Sequence, residues 1–213
     1  MNPQSTLTHA RCDRKIYDLT KRVIDLLLAL CLIWIAVPVI AVCAVLITLD
    51  SPGPAFFLQE RTGIGGRRFK LIKLRTMIVN AIELKPQFEP MNELGYPDFK
   101  IANDPRVTRI GAFLRRTSID ELPNVFNILL GHMSFVGPRP TSFPAEAYAT
   151  WQTARLRVLP GLTGLWQVSG RSEIDFEDRV RMDIRYIAHR SLWLDIVLLA
   201  KTVRVVIRGK GAY

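Results

Sequence analysis

One stretch dominates the pattern of apolar and polar positions. Residues 26–49 are 24 consecutive residues without a charge, and only Pro38 and Thr48 interrupt their apolar character. As a straight helix the stretch reaches roughly 36 Å, against a hydrocarbon core of about 30 Å. A core helix of a soluble protein is seldom so long or so apolar on every side. A cleavable signal peptide has an apolar region about half that length, followed by small residues. Here Asp50-Ser51-Pro52-Gly53-Pro54 follows, a rigid turn signal. The stretch therefore stays in the protein and meets lipid.

The rest of the chain reads as short elements. Residues 55–60 and 67–75 predict two strands joined as a hairpin through Thr62-Gly63-Ile64-Gly65-Gly66, although Ile72 and Leu74 face opposite to Phe69 and Leu71. Residues 80–105 are polar, carry Pro86, Pro90 and Pro97, and read as irregular or partly helical. Beyond Asp104-Pro105 a short helix places Ile110, Phe113 and Leu114 on one face, with Arg109 and Arg116 off it. Ser118-Ile119-Asp120-Glu121 matches a capping box, at the head of an apolar helix that stops at Gly131. Residues 133–140 are extended and stiff. Ser142 caps a helix running to about residue 159, residues 162–171 form a loop, and further helices start near Ser172 and Ser191. In the last one Leu192, Trp193, Ile196, Val197, Leu199 and Ala200 make an apolar face, with Lys201, Arg204 and Arg208 toward its end. That suits a helix lying on an anionic bilayer, and equally a core helix whose cations compensate its dipole.

Charge sharpens the membrane question. Arg11, Arg14, Lys15, Lys21 and Arg22 precede the apolar stretch, and Arg61, Arg67, Arg68, Lys70, Lys73 and Arg75 follow it. The positive-inside tendency keeps both flanks on the cytoplasmic side, which a single crossing does not allow. Pro38 lies near the middle, so a helix that breaks there, dips in and returns fits the flanks; a spanning helix is the alternative. Over 213 residues, 29 Lys and Arg against 19 Asp and Glu give a net charge of +10, which points to an anionic partner. With 23% charged and 49% hydrophobic residues the chain is not a disordered one. Cys12, Cys31 and Cys43 are odd in number and fit a reducing compartment rather than a disulfide framework. His9, His132 and His189 lack ligand spacing, so zinc is not supported.

Two places could carry chemistry. Asp120 and Glu121 are adjacent acids among Arg109, Arg115, Arg116 and Arg139. They are too close together to flank a sugar as a glycosidase pair does. They could share one metal ion and one phosphorus centre, with the helix start keeping a carboxylate ionised as nucleophile or Mg²⁺ ligand. The capping role remains open beside that one. Arg139 stands between Pro138 and Pro140, so its guanidinium fork is offered to a phosphate at little ordering cost. Gln167 and Arg171, in a glycine-punctuated loop with Trp166, suit a nucleotide base and phosphate.

Together these stretches resemble the monotopic phosphoglycosyl transferases, also called bacterial sugar transferases. The matching motifs are Lys21-Arg22-Val23-Ile24-Asp25, Asp50-Ser51-Pro52-Gly53-Pro54, Gln59-Glu60-Arg61, and Lys73-Leu74-Arg75-Thr76-Met77. They continue with Asp104-Pro105-Arg106-Val107-Thr108, Ser118-Ile119-Asp120-Glu121-Leu122-Pro123, Val136-Gly137-Pro138-Arg139-Pro140 and Pro160-Gly161-Leu162-Thr163-Gly164-Leu165-Trp166-Gln167. The resemblance covers about residues 15–213.

It implies transfer of a sugar 1-phosphate from a UDP-sugar to polyprenyl (undecaprenyl) phosphate, with release of UMP, in exopolysaccharide or other surface-glycan synthesis. It implies Asp120 as nucleophile with Glu121 beside it, both as Mg²⁺ ligands, and Arg139, Arg75, Arg116, Gln167 and Arg171 around phosphate and nucleotide. The implied fold is mainly α with a small β-hairpin, in three parts: an N-terminal cytoplasmic segment over 1–20, a re-entrant membrane helix over 21–50 broken at Pro38, and an interfacial, cytoplasmic catalytic domain over 51–213. The family breaks its membrane helix at a Ser-Pro pair, and here the pair is Val37-Pro38. This chain matches the short catalytic form, at the cytoplasmic face of a bacterial inner membrane. Membrane lipids and downstream glycosyltransferases are implied partners, and nucleic acid is not. The oligomeric state stays open between monomer and homodimer, and the sugar between glucose, galactose and an N-acetylated one. Outside the resemblance, a membrane-tethered nucleic-acid binder explains the charge, and a non-catalytic scaffold explains the apolar stretch.

Overall fold

The computed structural model describes residues 3–93, 99, 101–170 and 174–208. Helix α1, Pro3–Asp50, is a single helix of 48 residues that contains the whole apolar stretch. Asp25, Ala29, Ala36, Ile40, Cys43 and Ile47 are its buried positions, and their helical spacing keeps them on one stripe. Its other faces leave Leu27, Leu30, Ile35, Val42 and Val45 exposed, with Trp34 at 81% and Leu49 at 78%. So large an apolar face is stable only against lipid or another apolar surface. Among the described residues α1 is the one helix long and apolar enough to cross a membrane.

The break expected at Pro38 is not a helix end: α1 runs through that residue. A proline withdraws one N–H and crowds one carbonyl, while the turns on either side keep their own bonds. The same helix already begins at Pro3.

Strands β1 (Phe56–Thr62) and β2 (Arg68–Leu74) form the expected antiparallel hairpin, with Phe56 opposite Leu74 and Thr62 opposite Arg68. Helix α2 (Arg109–Thr117) starts at Thr108, whose hydroxyl accepts from the Gly111 N–H, and α3 (Asn124–Leu129) follows. Strand β3 (Ser134–Val136) pairs in parallel with β4 (Gly161–Thr163), which sequence placed at the edge of a loop. Here backbone meets backbone. A Cβ on Gly161 would lie 2.1 Å from the Gly137 nitrogen. Helices α4 (Phe176–His189) and α5 (Leu192–Arg208) close the chain.

The helix expected from Ser142 to about residue 159 is absent among the described residues. Two short 3₁₀ turns stand there, Ala145–Ala147 and Gln152–Arg157. The segment has no apolar stripe to bury; Trp151 stays exposed while Tyr148 and Arg155 turn inward. Helix α5 buries Asp195 and Leu198 and leaves Trp193, Ile196, Val203 and Ile207 exposed.

One core joins everything. Leu71, Leu74, Leu114, Val125, Ile128, Met133, Val136 and Leu198 cluster with the inward stripe of α1. Polar bonds fix both ends of that stripe. At one end Arg22 donates to the Ile128 and Leu129 carbonyls, Asp25 accepts from the Phe135 N–H at 3.2 Å, and Lys21 pairs with Asp195 at 2.9 Å. At the other, Asp50 accepts from the Ile110 N–H at 2.9 Å.

Helix α2 crosses β2's continuation so closely that a Cβ on Gly111 would lie 2.1 Å from the Thr76 carbonyl oxygen. An alanine in a helix interior ordinarily gains about 1 kcal/mol over glycine. Gly111→Ala is expected to do the reverse and destabilise by about 3 kcal/mol, because rigid backbone must move. Thermal unfolding in detergent checks it; an unchanged or raised midpoint contradicts this packing.

Candidate active site

The chain reaches its acids through a tight reversal. Ser118 ends α2 in the left-handed region at φ 58°, a conformation with a cost for any side chain, and the 3₁₀ turn Ile119–Glu121 follows at once. The expected capping box does not form, since Ser118 makes no side-chain cap bond. Nor does the Glu121 side chain return a bond to the Ser118 N–H, which goes to the Arg115 carbonyl at 3.1 Å.

The partners of Glu121 come from three elements. Glu121 Oε1 receives Lys73 Nζ at 2.5 Å and Arg139 Nη2 at 2.6 Å, while Oε2 accepts from Asn124 Nδ2 at 3.0 Å. Burial alone would raise the Glu121 pKa, but the charges and hydrogen bonds of Arg139 and Lys73 override it and hold the carboxyl well below the usual range. In turn, Glu121 raises Arg139. Asp120 behaves oppositely. Burial lifts its pKa above the usual aspartate value and Glu121 adds to the lift, against the pull of Lys73, Arg139 and Arg115. Among the described residues Asp120 has no hydrogen bond or ion pair of its own. One acid is thus a fixed counter-ion, and its neighbour has free oxygens in the field of several cations.

Arg61 completes the group. It lines a small cleft with Leu71, Glu121, Met133, Arg139 and Pro140, and its own donors go to Gln59 Oε1 and the Pro140 carbonyl. Burial, and then the nearby Arg139, pull its pKa down to about 10. Two guanidiniums and an ammonium beside one firmly ionised carboxylate leave an excess of positive charge, which suits a phosphate-bearing ligand.

The structure brings together Asp120, Glu121 and Arg139, and the other expected residues have different surroundings. Arg75 is not open to a phosphate. All five guanidinium hydrogens go to the turn at 51–54: Nε to the Pro54 carbonyl at 2.6 Å, Nη1 to Ser51 Oγ and the Pro52 carbonyl, Nη2 to the Ser51 and Gly53 carbonyls. Arg116 is exposed and without a hydrogen bond among the described residues; its neighbour Arg115 turns inward, donates to Thr76 Oγ1 and acts on Asp120. One residue is about 100° of helix, which is the whole difference. Gln167 donates to the Leu162 carbonyl at 3.0 Å in a turn packed against α4 and α5, and bonds to none of the three central residues. Arg171 lies outside the described residues.

Lys73 and Arg61 were missed, and a signal existed for both. Lys73 lies on the same strand face as buried Phe69 and Leu71, and Arg61 on the same face as Gln59 and Phe57. A cation on the inward face of a strand needs a buried anion or a ligand.

The donor set limits how a metal could bind. Among the described residues no three carboxylate, imidazole or thiol side chains converge. Both Glu121 oxygens are already committed. Of the two acids, Asp120 is the one whose oxygens are free for a Mg²⁺ ion, and those of Glu121 are engaged by Lys73, Arg139 and Asn124.

Comparison with known proteins now decides the family. The family model for bacterial sugar transferases matches residues 16–209. The chain belongs to that family. It is 42% identical over 198 residues to the UDP-galactose-lipid carrier transferase of Erwinia amylovora, covering 91% of this chain and 41% of that protein. It is 38% identical over 205 residues to the exopolysaccharide production protein ExoY of Rhizobium meliloti, covering 94% and 91%. With the UDP-glucose:undecaprenyl-phosphate glucose-1-phosphate transferase of Caulobacter vibrioides it shares 40% identity over 211 residues, covering 94% and 74%. The chain spans about two fifths of the Erwinia relative and of several others, and nearly all of ExoY.

If Arg75 is a clamp on the turn, its loss is read in stability first. Arg75→Lys is expected to cost about 3 kcal/mol, since one ammonium replaces a five-bond fork and leaves buried carbonyls unpaired. A thermal midpoint equal to wild type would return Arg75 to the set of available phosphate ligands.

Proposed function

We propose that this protein transfers a sugar 1-phosphate from a UDP-sugar to polyprenyl phosphate at the cytoplasmic face of a membrane, with Asp120 as the nucleophile. The observation that carries the reading is the divided pair: Glu121 spent on Lys73 and Arg139, Asp120 free beside them. The sequence relatives named for galactose and glucose carriers support the donor and acceptor classes.

The reaction runs as two displacements at one phosphorus. An Asp120 carboxylate oxygen attacks the phosphorus that bears the sugar, the bond to the bridging oxygen breaks, and UMP leaves with that oxygen and its electron pair. An oxygen of polyprenyl phosphate then attacks the same phosphorus, the aspartyl–phosphorus bond breaks, and the carboxylate returns. Donor and acceptor need not be bound together. Arg139 and Lys73 stand where charge develops on the transferred phosphoryl group, held there in advance by Glu121. Arg61 and Arg115 widen the same positive field. Mg²⁺, where bound, would be held through Asp120 and would neutralise part of the leaving group's charge.

The membrane arrangement follows from anchoring. The two ends of the apolar stretch bond to the same domain, through Arg22 and Asp25 at one end and Asp50 at the other. A domain on one side of a bilayer holds both ends only if both stay on that side. This supports a helix that enters by one leaflet without crossing, which brings the acids to the headgroup plane where a soluble donor meets a lipid acceptor.

Topology is checked by labelling single cysteines placed at Lys15 and Arg67 in a variant without Cys12, Cys31 and Cys43. Both are expected to react from the cytoplasmic side; reaction from opposite sides means that α1 spans.

The chemistry is checked without acceptor. Wild-type protein given UDP-sugars is expected to release at most one UMP per site and to gain the mass of a sugar phosphate on Asp120. Asp120→Asn keeps the fold to within about 1 kcal/mol and loses activity by at least about a thousandfold. Because burial raises Asp120, wild-type turnover falls as pH drops through a value above the ordinary aspartate range, where the nucleophile takes up its proton. Turnover without any adduct on Asp120, or salt-sensitive nucleic-acid binding without turnover, contradicts the reading.

A further inference from the structure

The turn that carries Arg139 has an unusual supply of backbone bonds. Pro138 and Pro140 contribute no N–H, so the segment is gripped through its carbonyls instead. Three successive carbonyls are each held by a different partner. Pro138 accepts from the Gly161 N–H at 2.9 Å, Arg139 from Arg155 Nη2 at 2.8 Å, and Pro140 from Arg61 Nη1 at 3.2 Å.

The middle grip is the most elaborate. Arg155 Nη2 has two hydrogens; one goes to the Arg139 carbonyl, and the other to Asp183 Oδ2 at 2.6 Å. The Arg155 and Asp183 side chains are 4% and 1% exposed. The guanidinium also lies over the Tyr148 ring, 5.8 Å from its centroid, and Tyr148 bonds to Thr141 just past the turn. A buried ion pair is a poor source of stability, since its desolvation cost can exceed its attraction. This one reaches from α4 to a single carbonyl, that of the residue whose side chain meets Glu121.

We propose that Arg155, seated by Asp183, is a positioning residue that sets where the Arg139 guanidinium stands. It rests on the reading of Arg139 as a phosphate ligand. Arg155 is buried and acts through the Arg139 carbonyl. The prolines make the backbone stiff, and the carbonyl lock removes its remaining freedom to swing about that stiff segment. The Arg139 side chain then has only its own rotamers to settle, and Glu121 settles those. With the lock gone, the turn shifts as a unit and carries the fork off the phosphate.

The test is a double-mutant cycle on the full-length membrane protein with Arg139→Lys, Arg155→Lys and the pair. UMP release from UDP-glucose and UDP-galactose with polyprenyl phosphate is one readout, and binding of inorganic pyrophosphate is the second. A misplacement of about 1 Å costs roughly a hundredfold in turnover, the loss expected for each single variant. The pair is expected to be no worse than Arg139→Lys alone, because Arg155 then has no fork left to place. Losses that multiply, or wild-type turnover in Arg155→Lys, overturn the proposal, since a merely structural role adds independently. Should Arg155→Lys not unfold cooperatively, Asp183→Asn takes its place in the cycle with the same expectation. If wild type turns over neither donor, the proposed transfer fails for them, and the pyrophosphate cycle decides the positioning question by the same rule. Wild type that neither turns over nor binds pyrophosphate overturns both.

Discussion

Glu121 is the residue on which the site's geometry depends. Its two oxygens tie Lys73 of β2, Asn124 of α3 and Arg139 of the proline-flanked turn, which are 48, 3 and 18 residues away. Each tie is a constraint on a different element. Burying the carboxylate is costly, and two cations repay that cost only when both are held at hydrogen-bond distance. The elements that carry them must therefore be firm: a paired strand for Lys73, and a turn locked by its carbonyls for Arg139. With Glu121 neutralised twice over, the excess positive charge falls on the neighbouring Asp120 and on whatever anion arrives. Asp120 can then be a half-buried acid with free oxygens, which in another setting would be an unstable arrangement.

The membrane helix contributes to the same geometry rather than acting as a detached anchor. Its buried stripe belongs to the core that contains Leu71, Val125 and Met133. Leu71 and Met133 also line the cleft beside Glu121 and Arg139. Asp25 holds the Phe135 N–H within β3, four residues before Arg139. A displacement of α1 is thereby felt in β3 and in the turn after it. The position of α1 and the shape of the site are set by one packed unit.

Much of this was legible in the sequence, and the failures share a cause. The apolar stretch, the hairpin, α2, α3, the meeting of Glu121 with Arg139 beside Asp120, and the family all followed from local pattern and motif. What did not follow was the direction of individual polar side chains. Ser118 and Glu121 spell a capping box, yet Ser118 adopts a left-handed backbone and Glu121 prefers cations contributed by distant elements. Arg116 and Arg115 are indistinguishable by composition, and only the helix's facing selects Arg115. The 142–159 segment has a capping serine and no apolar stripe, so tertiary contacts to Tyr148 and Arg155 decided against a helix. Strand β4 has three residues and no alternation to read; its existence rests on two glycines that let backbones approach.

The net charge carries a related lesson. A balance of +10 reads as an anion-binding surface, and part of it is. Yet many of the arginines never face a partner. Arg22 closes the carbonyls at the end of α3, Arg75 closes the turn after α1, and Arg155 closes the turn of Arg139. Arg106 donates to the Ala81 carbonyl and to Asp104, stacked near Phe88 and Phe99. A small domain with short helices and abrupt turns leaves many carbonyls without ladder partners, and a buried carbonyl must be satisfied. Arginine, with five donors on a planar fork, closes several at once where lysine cannot. Lys73, Arg139 and Arg61 gather around Glu121, and Arg115 acts on Asp120. Part of the positive charge is thus spent on closing the fold's own carbonyls.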